Sequence, residues 1–164
     1  MMTELPAGPP ALKTRSAELR LGREFALRVL YAEDLNHLSV TDAWARCRGN
    51  FLDEEHPGLL ERTDPLLVEA ERIAVFMLEG VRRQLAEIDG LLGAASKRWK
   101  PSRMPVIDRN ILRLCTFELL DGQVPPRDVI FDAVDLAKRF GDGPTSRFVN
   151  GILDQICRDR GIRL

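Results

Sequence analysis

The chain has 164 residues, of which 45% are hydrophobic and 30% charged, and its formal net charge is −1. This length suits one domain with its own core, and the near-zero net charge excludes an overall electrostatic attraction to nucleic acid, so any basic surface must be local. Three separated cysteines without a C-x-x-C motif argue against a disulfide framework and a zinc knuckle. No apolar run is long enough to span a membrane, and the N-terminus does not resemble a signal peptide. We therefore predict a cytoplasmic protein.

The N-terminal part predicts a tail followed by helices. Residues 1–13 are rich in proline and are predicted to be disordered, whereas 14–164 form a single helical domain. A proline-free stretch from Thr14 to about Asn36 predicts a helix with Phe25, Val29 and Ala32 on its core face. A short segment follows, opened by Ser39 or Thr41, with Ala43 and Trp44 turned inward; residues 48–63 are ambiguous.

The middle of the chain predicts one long helix and a linker. Asp64-Pro65 is a helix start, with a capping side chain followed by proline at the first helical position. Apolar residues at helical spacing follow it: Leu66, Ile73, Met77, Val81, Leu85 and Ile88. We expect a break near Gly80 or around Asp89-Gly90. The basic sequence KRWKPSRMP (97–105) predicts a linker between an N-terminal subdomain (about 14–96) and a C-terminal one (about 106–160).

The C-terminal part predicts three helices. Asp108 is expected to cap a buried helix that runs to about Leu120. The next helix starts after Pro125-Pro126 and stops at Gly141, and the last starts near Thr145. The last helix buries Val149, Ile152, Leu153 and Ile156. No long stretch alternates with period two, so the fold class is all-α without a sheet.

The sequence offers no set of residues for catalysis. The two histidines, His37 and His56, lie in or beside predicted loops, and each cysteine falls in a predicted helix as a small buried residue. The sequence GDGPT (141–145) follows a helix, which favours an interhelical turn over a phosphate-binding loop. Glu118 lies on an apolar face and is expected to pair with an arginine of a neighbouring helix. We predict no enzyme and no cofactor.

Four blocks of sequence resemble the NusB family of bacterial transcription antitermination factors. The blocks are REFALRVLYAEDL (23–35), DRNILRLCTFELL (108–120), VPPRDVIFDAVDLAKRFG (124–141) and RFVNGILDQI (147–156), in the family's order and spacing. The resemblance implies about seven helices in two packed helical subdomains. It also implies a protein that binds boxA-type single-stranded RNA of ribosomal RNA transcripts together with NusE, a small-subunit ribosomal protein. The pair would act in the RNA polymerase antitermination complex and support processive transcription.

Candidate RNA-binding residues lie on the first and last helices. At 100° per residue, Arg20, Arg23 and Tyr31 share one face of the first helix, where guanidiniums and a phenol suit unpaired RNA. A solvated face with an incidental tyrosine is the alternative. The resemblance adds Arg147, Phe148 and Asn150, although Phe148 could equally be a core residue. It also assigns the NusE contact to Asp108, Arg113, Asp132 and Lys138.

The chain departs from the family pattern in three places. Leu19 and Leu21 flank Arg20 where relatives often carry consecutive arginines, so RNA binding should be weaker. Phe131 and Pro144 stand where polar residues are usual. A helical protein-interaction module with weakened or lost RNA binding is therefore the alternative function. An exposed Phe131 or Leu21 would favour a homodimer. An RNA-modifying enzyme is a third hypothesis, which is disfavoured because a chain of this length is expected to have no room for a cofactor-binding α/β domain.

Overall fold

The computed structural model describes residues 10–12, 16–50 and 64–164, and this part of the chain is helical without strands. Seven α-helices and one 3-10 turn lie within these residues: α1 (Ala17–Asn36), α2 (Val40–Asn50), α3 (Pro65–Arg83), α4 (Leu85–Ala95), the turn Pro101–Arg103, α5 (Val106–Asp121), α6 (Pro126–Phe140) and α7 (Thr145–Arg160). The predicted all-α fold with about seven helices is confirmed.

Polar side chains fix the starts of the first three helices. The Ser16 hydroxyl accepts the N–H of Leu19, so α1 begins at Ala17, while the predicted start at Thr14 lies outside the described residues. Ser39 accepts the N–H of Asp42 at the start of α2, as expected. Asp64 accepts the N–H of Leu66, which confirms the predicted start of α3. Of the ambiguous stretch, residues 48–50 belong to α2 and 51–63 lie outside the described residues.

The break in the predicted long helix lies at Gln84, and both expected positions were wrong. Gly80 is inside α3 and Gly90 is inside α4. A Cβ added at Gly80 would lie 2.2 Å from the ring of Phe117, so this glycine permits close packing of α3 on α5. Leu85, predicted on the apolar face, is exposed.

Asp108 does not cap α5, contrary to expectation. The helix begins at Val106 after Pro105, which places Asp108 in its first turn. The carboxylate of Asp108 is buried and accepts a hydrogen bond of 3.0 Å from the Thr145 hydroxyl. It therefore joins the N-terminal turns of α5 and α7.

α1 and α5 lie at the centre of the packing. α1 packs on α2, α3 and α5, while α5 also packs on α3, α4, α6 and α7. The predicted core faces are confirmed, since Phe25, Val29 and Ala32 are buried, as is most of α5. α4 packs on both α5 and α7, so one hydrophobic core runs across the proposed subdomain boundary at residue 96. The division into two subdomains stays a prediction.

Two surface expectations need correction. Leu12 is buried, and its N–H donates to the Gln123 side chain, so residues 10–12 of the predicted tail pack against the fold; 1–9 and 13 lie outside the described residues. Leu21 is partly buried against the core and does not form an exposed patch. Phe131, in contrast, is 60% exposed. None of the described helices is long and apolar enough to span a membrane.

Candidate nucleic-acid and partner interface

The exposed face of α1 carries two of the predicted RNA-binding residues. Arg20 is exposed near the start of the helix, and Tyr31 is 38% exposed near its end. Eleven residues separate them, which places them on the same side of the helix and about 16 Å apart along its axis. The expected solvent exposure of both side chains is confirmed.

Arg23 does not share this exposed face, and the expectation that it faces solvent was wrong. It is 1% exposed and donates from Nε and Nη2 to Glu118, with shortest distances of 2.8 Å, and from Nη1 to Asp132 at 2.5 Å. The helical wheel placed Arg23 near Arg20, but α5 and α6 cover this side of α1 and supply two carboxylates. The expected pairing of Glu118 with an arginine of a neighbouring helix is confirmed.

The buried cluster of Arg23, Glu118 and Asp132 ties α1 to α5 and α6. Burial disfavours the charge on Arg23, but the attraction and hydrogen bonds of Glu118 outweigh it and raise the pKa of Arg23. Burial raises the pKa of the Glu118 carboxyl, and Arg23 opposes that rise. The cluster is therefore structural, because the buried guanidinium already donates to two carboxylates and does not face an RNA phosphate.

A shallow cleft between α1 and α6 adds cations that the sequence-based prediction missed. Its lining residues are Arg20, Arg23, Asp132, Asp135, Leu136 and Arg139. Beside it, the guanidinium carbons of Arg28 and Arg139 lie 5.1 and 5.0 Å from the centre of the Phe140 ring, within cation–π range. Arg28 could have been identified from the sequence by its spacing, since it lies about two helical turns after Arg20 on the same helix.

Hydrogen bonds bring three helix ends together. Asp34, in the last turn of α1, accepts from Arg109 at 2.8 Å and from Asn110 at 3.1 Å, both near the start of α5. Asp108, in the first turn of α5, accepts from Thr145 at the start of α7. The C-terminal end of α1 therefore adjoins the N-terminal ends of α5 and α7.

This convergence places most of the predicted RNA-binding residues at one end of the molecule. Tyr31 lies one turn before Asp34 on α1. Arg147 and Asn150 are exposed on the first turns of α7, and Phe148 is half-buried, with its ring packed partly against the core. Arg20 lies apart from them, at the other end of α1.

Three of the four predicted partner-binding residues are bonded within the chain. Arg113 forms a bidentate ion pair with Asp89, with two distances of 2.8 Å. Asp132 binds Arg23, and Asp108 binds Thr145. Burial raises the pKa of Asp108, while its hydrogen bond from Thr145 lowers it. Lys138 is the exposed member of the predicted set.

Among the residues that the structure describes, those that a catalytic or metal site would need are scattered. All three cysteines are buried, as predicted, and burial raises the pKa of each thiol. His37 is exposed at the end of α1 in the left-handed region, with φ 50°, and His56 lies outside the described residues. Among the described residues no three His, Cys, Asp or Glu side chains cluster in a way that could hold a metal ion.

Comparisons with known proteins agree with this architecture. The model of the NusB family matches residues 20–158. The transcription antitermination protein NusB of Desulforapulum autotrophicum is 37% identical over 138 residues, which cover 84% of this chain and 89% of that protein. The structure of T. maritima NusB superposes with a TM-score of 0.69 at 27% identity, covering 86% of this chain and 91% of that one. A structure of NusB and NusE in complex with dsRNA shares the fold, with a TM-score of 0.66 at 24% identity and coverage of 87% and 97%. The chain belongs to the NusB family.

Proposed function

We propose that this protein is a transcription antitermination factor that binds boxA-type single-stranded RNA of ribosomal RNA transcripts together with NusE. In the RNA polymerase antitermination complex the pair would support processive transcription. The family relationship supports this proposal, since its relatives carry that name. A protein of the same fold has been crystallised with NusE and dsRNA. The proposal assigns the protein no catalytic step and no cofactor.

The convergence of Tyr31, Arg147 and Phe148 at one end of the molecule is the observation that carries the RNA proposal. Single-stranded RNA is bound by aromatic rings that stack on unpaired bases and by guanidiniums that contact phosphates. Tyr31 and Phe148 supply rings on two neighbouring helix ends, while Arg147 supplies an exposed guanidinium and Asn150 an amide. A short RNA segment would contact both helices at once.

Arg20 would extend this RNA surface along α1. It lines the cleft beside α6 that also contains Arg139, so a phosphate there would meet the guanidinium of Arg20 and the exposed guanidinium of Arg139, which also pairs with Glu24 at 3.1 Å. Arg23 is left out of the surface because its donors are bonded to Glu118 and Asp132. With few phosphate contacts, we expect a salt dependence with a log–log slope shallower than about −4, since each contact to a single strand contributes about −0.7.

The proposed NusE surface includes the exposed side of α6. Phe131, Asp135 and Lys138 are exposed at spacings of four and three residues, which places them on one side of this helix. We assign Lys138 to direct contact with NusE. We assign Asp108, Arg113 and Asp132 to positioning α5 and α6, because their carboxylates and guanidinium are engaged within the chain.

Fluorescence anisotropy with a labelled boxA-type RNA and a scrambled RNA of equal length, each with and without NusE, tests the proposal. Tyr31→Ala and Phe148→Ala should each weaken binding of the boxA-type RNA at least about fivefold, because one stacked base contributes about 1–3 kcal/mol. Arg147→Gln should weaken it as well, whereas Arg163→Gln, which removes an exposed arginine near the C-terminus, should not. Equal affinity for both RNAs in the presence of NusE would contradict the proposal.

Circular dichroism of Phe148→Ala distinguishes the two interpretations of this residue, an RNA-contacting ring and a core ring. An RNA-contacting ring can be removed with the helical signal and the unfolding midpoint nearly intact. If the ring belongs to the core, its removal should destabilise the fold, since a buried Phe→Ala change costs about 3–5 kcal/mol.

The burial of Arg23 favours a second candidate function, a helical protein-interaction module with weakened RNA binding. It leaves Arg20 as the one arginine of α1 that is exposed, with Arg28 half-buried. If this second function is correct, NusE should bind the protein normally in calorimetry, and the protein should show no preference for boxA-type RNA over scrambled RNA. A homodimer through Phe131 remains a prediction, which light scattering at micromolar concentration would test.

A further inference from the structure

The segment from Lys97 to Arg103, here called the basic segment, has no role in the function proposed so far. Lys97, Arg98, Lys100 and Arg103 are all exposed. The ammonium and guanidinium groups of these four side chains form no hydrogen bond or ion pair with the residues that the structure describes, although the backbone N–H of Arg103 donates to the carbonyl of Lys100. Trp99 lies among them and is 47% exposed. The segment therefore presents a large aromatic ring flanked by cations to solvent.

The backbone of the basic segment is held in place. The N–H of Trp99 donates to the Ser96 hydroxyl at 3.0 Å. Pro101 opens the 3-10 turn, and its carbonyl accepts from Arg109 at 3.2 Å. Met104, directly after the turn, is buried in the core. A segment fixed in this way loses little conformational entropy when it binds a ligand.

The basic segment lies at the end of the molecule that carries the candidate RNA surface. Arg109 donates both to Pro101 and to Asp34 in the last turn of α1, so the segment adjoins the C-terminal end of that helix. Tyr31 is one turn further back on α1, and the first turn of α7 with Arg147 adjoins the same end. The basic segment and the candidate RNA surface are therefore neighbours.

We propose that the basic segment is a second contact for single-stranded RNA, in which a base stacks on Trp99 and the flanking phosphates bind Arg98 and Lys100. This inference rests on the proposed function and extends its RNA path. Cations alone would suit any polyanion. A half-exposed indole between cations fits a ligand with a flat apolar group and an anion on either side of it, which a nucleotide strand provides. The contact would offset the thinned arginine cluster at the start of α1.

Tryptophan fluorescence gives a direct readout. The chain has two tryptophans, and Trp44→Phe leaves Trp99 as the one emitter. In this background we titrate the boxA-type RNA element alone, the same element extended by about six nucleotides on each side, and a scrambled RNA of the extended length. Extended RNA should quench Trp99 emission, and the short element should quench it less.

Affinity and salt dependence give the second readout. Trp99→Ala should weaken binding of the extended RNA at least about fivefold. Arg98→Gln with Lys100→Gln should flatten the salt slope by about 1.4, which corresponds to two phosphate contacts. The matched control is Arg158→Gln with Arg163→Gln, two exposed arginines in the last turn of α7 and just beyond it, which should leave the slope unchanged.

Four results separate this inference from the proposed function. If variants of the basic segment bind extended RNA like the parent while boxA-type RNA is still preferred over scrambled RNA, the inference fails and the proposed function stands. If, in the presence of NusE, the extended boxA-type RNA and the scrambled RNA bind equally and both depend on Trp99, the inference stands and the proposed function fails. Quenching by poly-glutamate as strong as that by RNA would overturn the RNA assignment. A parent protein that binds none of the RNAs even in the presence of NusE overturns both.

Discussion

Replacing Glu118 with leucine should destabilise the protein severely, because Arg23 would keep its charge in a buried position. Glu118 accepts hydrogen bonds from two of the three guanidinium nitrogens of Arg23, and the Glu118 side chain is fully buried. Leucine fills most of the space but accepts no hydrogen bond. Breaking a buried ion pair in this way costs about 3–5 kcal/mol, a large part of the 5–15 kcal/mol that typically stabilises a domain.

The neighbouring carboxylate of Asp132 should contribute less to the stability of the fold. Asp132 binds a single guanidinium nitrogen, and its side chain is 13% exposed, so water can replace it in part. Asp132→Ala should cost about 1–3 kcal/mol. The double variant Arg23→Met with Glu118→Leu removes both buried charges together, and it should recover most of the loss of Glu118→Leu alone.

Urea unfolding followed by circular dichroism at 222 nm measures these differences. The reasoning is refuted if Glu118→Leu loses less than about 1 kcal/mol, or if the double variant is less stable than Glu118→Leu. The double variant also tests the role of Arg23 in RNA binding. Its RNA salt slope should equal that of the parent, since a structural arginine contacts no phosphate, whereas a slope flatter by about 0.7 would restore Arg23 to the RNA surface.

Three further predictions concern packing, titration and thiol reactivity. Gly80→Ala should destabilise by about 1–3 kcal/mol or more because its Cβ would overlap the Phe117 ring, whereas Gly90→Ala, with no atom within 4 Å, should stabilise α4 by up to about 1 kcal/mol in the same urea assay. Asp108→Asn should be at least as stable as the parent at pH 7, because burial raises the pKa of Asp108 and penalises its charge while asparagine can still accept from Thr145. The stability contributed by this carboxyl is fully present below its unfolded pKa and is lost as the pH rises through its folded pKa, so the advantage of Asp108→Asn should shrink as the pH falls from 7 toward about 4. The three buried cysteines should react with Ellman's reagent only after denaturation, because burial hinders access and raises the pKa of each thiol.

Each of these predictions has an opposite outcome. Equal effects of alanine at Gly80 and Gly90 on stability would mean that the packing of α3 on α5 is looser than in this structure. An advantage of Asp108→Asn that grows toward acid pH would reverse the sign of the burial effect. Rapid labelling of a native thiol would show that a cysteine is accessible.

Helix positions were predictable where a local signal coincides with a tertiary one. Asp64-Pro65 both caps α3 and sets its first turn, and the apolar residues of α5 could only be buried. Gly80 misled because a glycine inside a helical pattern suggests a break, although here it makes room for Phe117. That reason involves a residue 37 positions away and is invisible to local periodicity.

The candidate site was predictable in its exposed parts and not in its buried ones. The spacing of Arg20 and Tyr31 on α1 correctly indicated exposed side chains. Arg23 lies only 60° from Arg20 on the helical wheel, but whether α5 and α6 cover it depends on packing angles that the sequence of α1 does not contain. The pairing of Glu118 was foreseen from its position on an apolar face, whereas the identity of its partner required the fold.

The affinity of the full chain with NusE for boxA-type RNA, compared with scrambled RNA of equal length, tests the proposed function most directly. We predict tighter binding of the boxA-type RNA, a loss of at least about fivefold for Tyr31→Ala, and no loss for Arg163→Gln. Equal binding of both RNAs, or a Tyr31→Ala variant that binds like the parent, would contradict an RNA surface at the end of the molecule where α1 and α7 both adjoin α5.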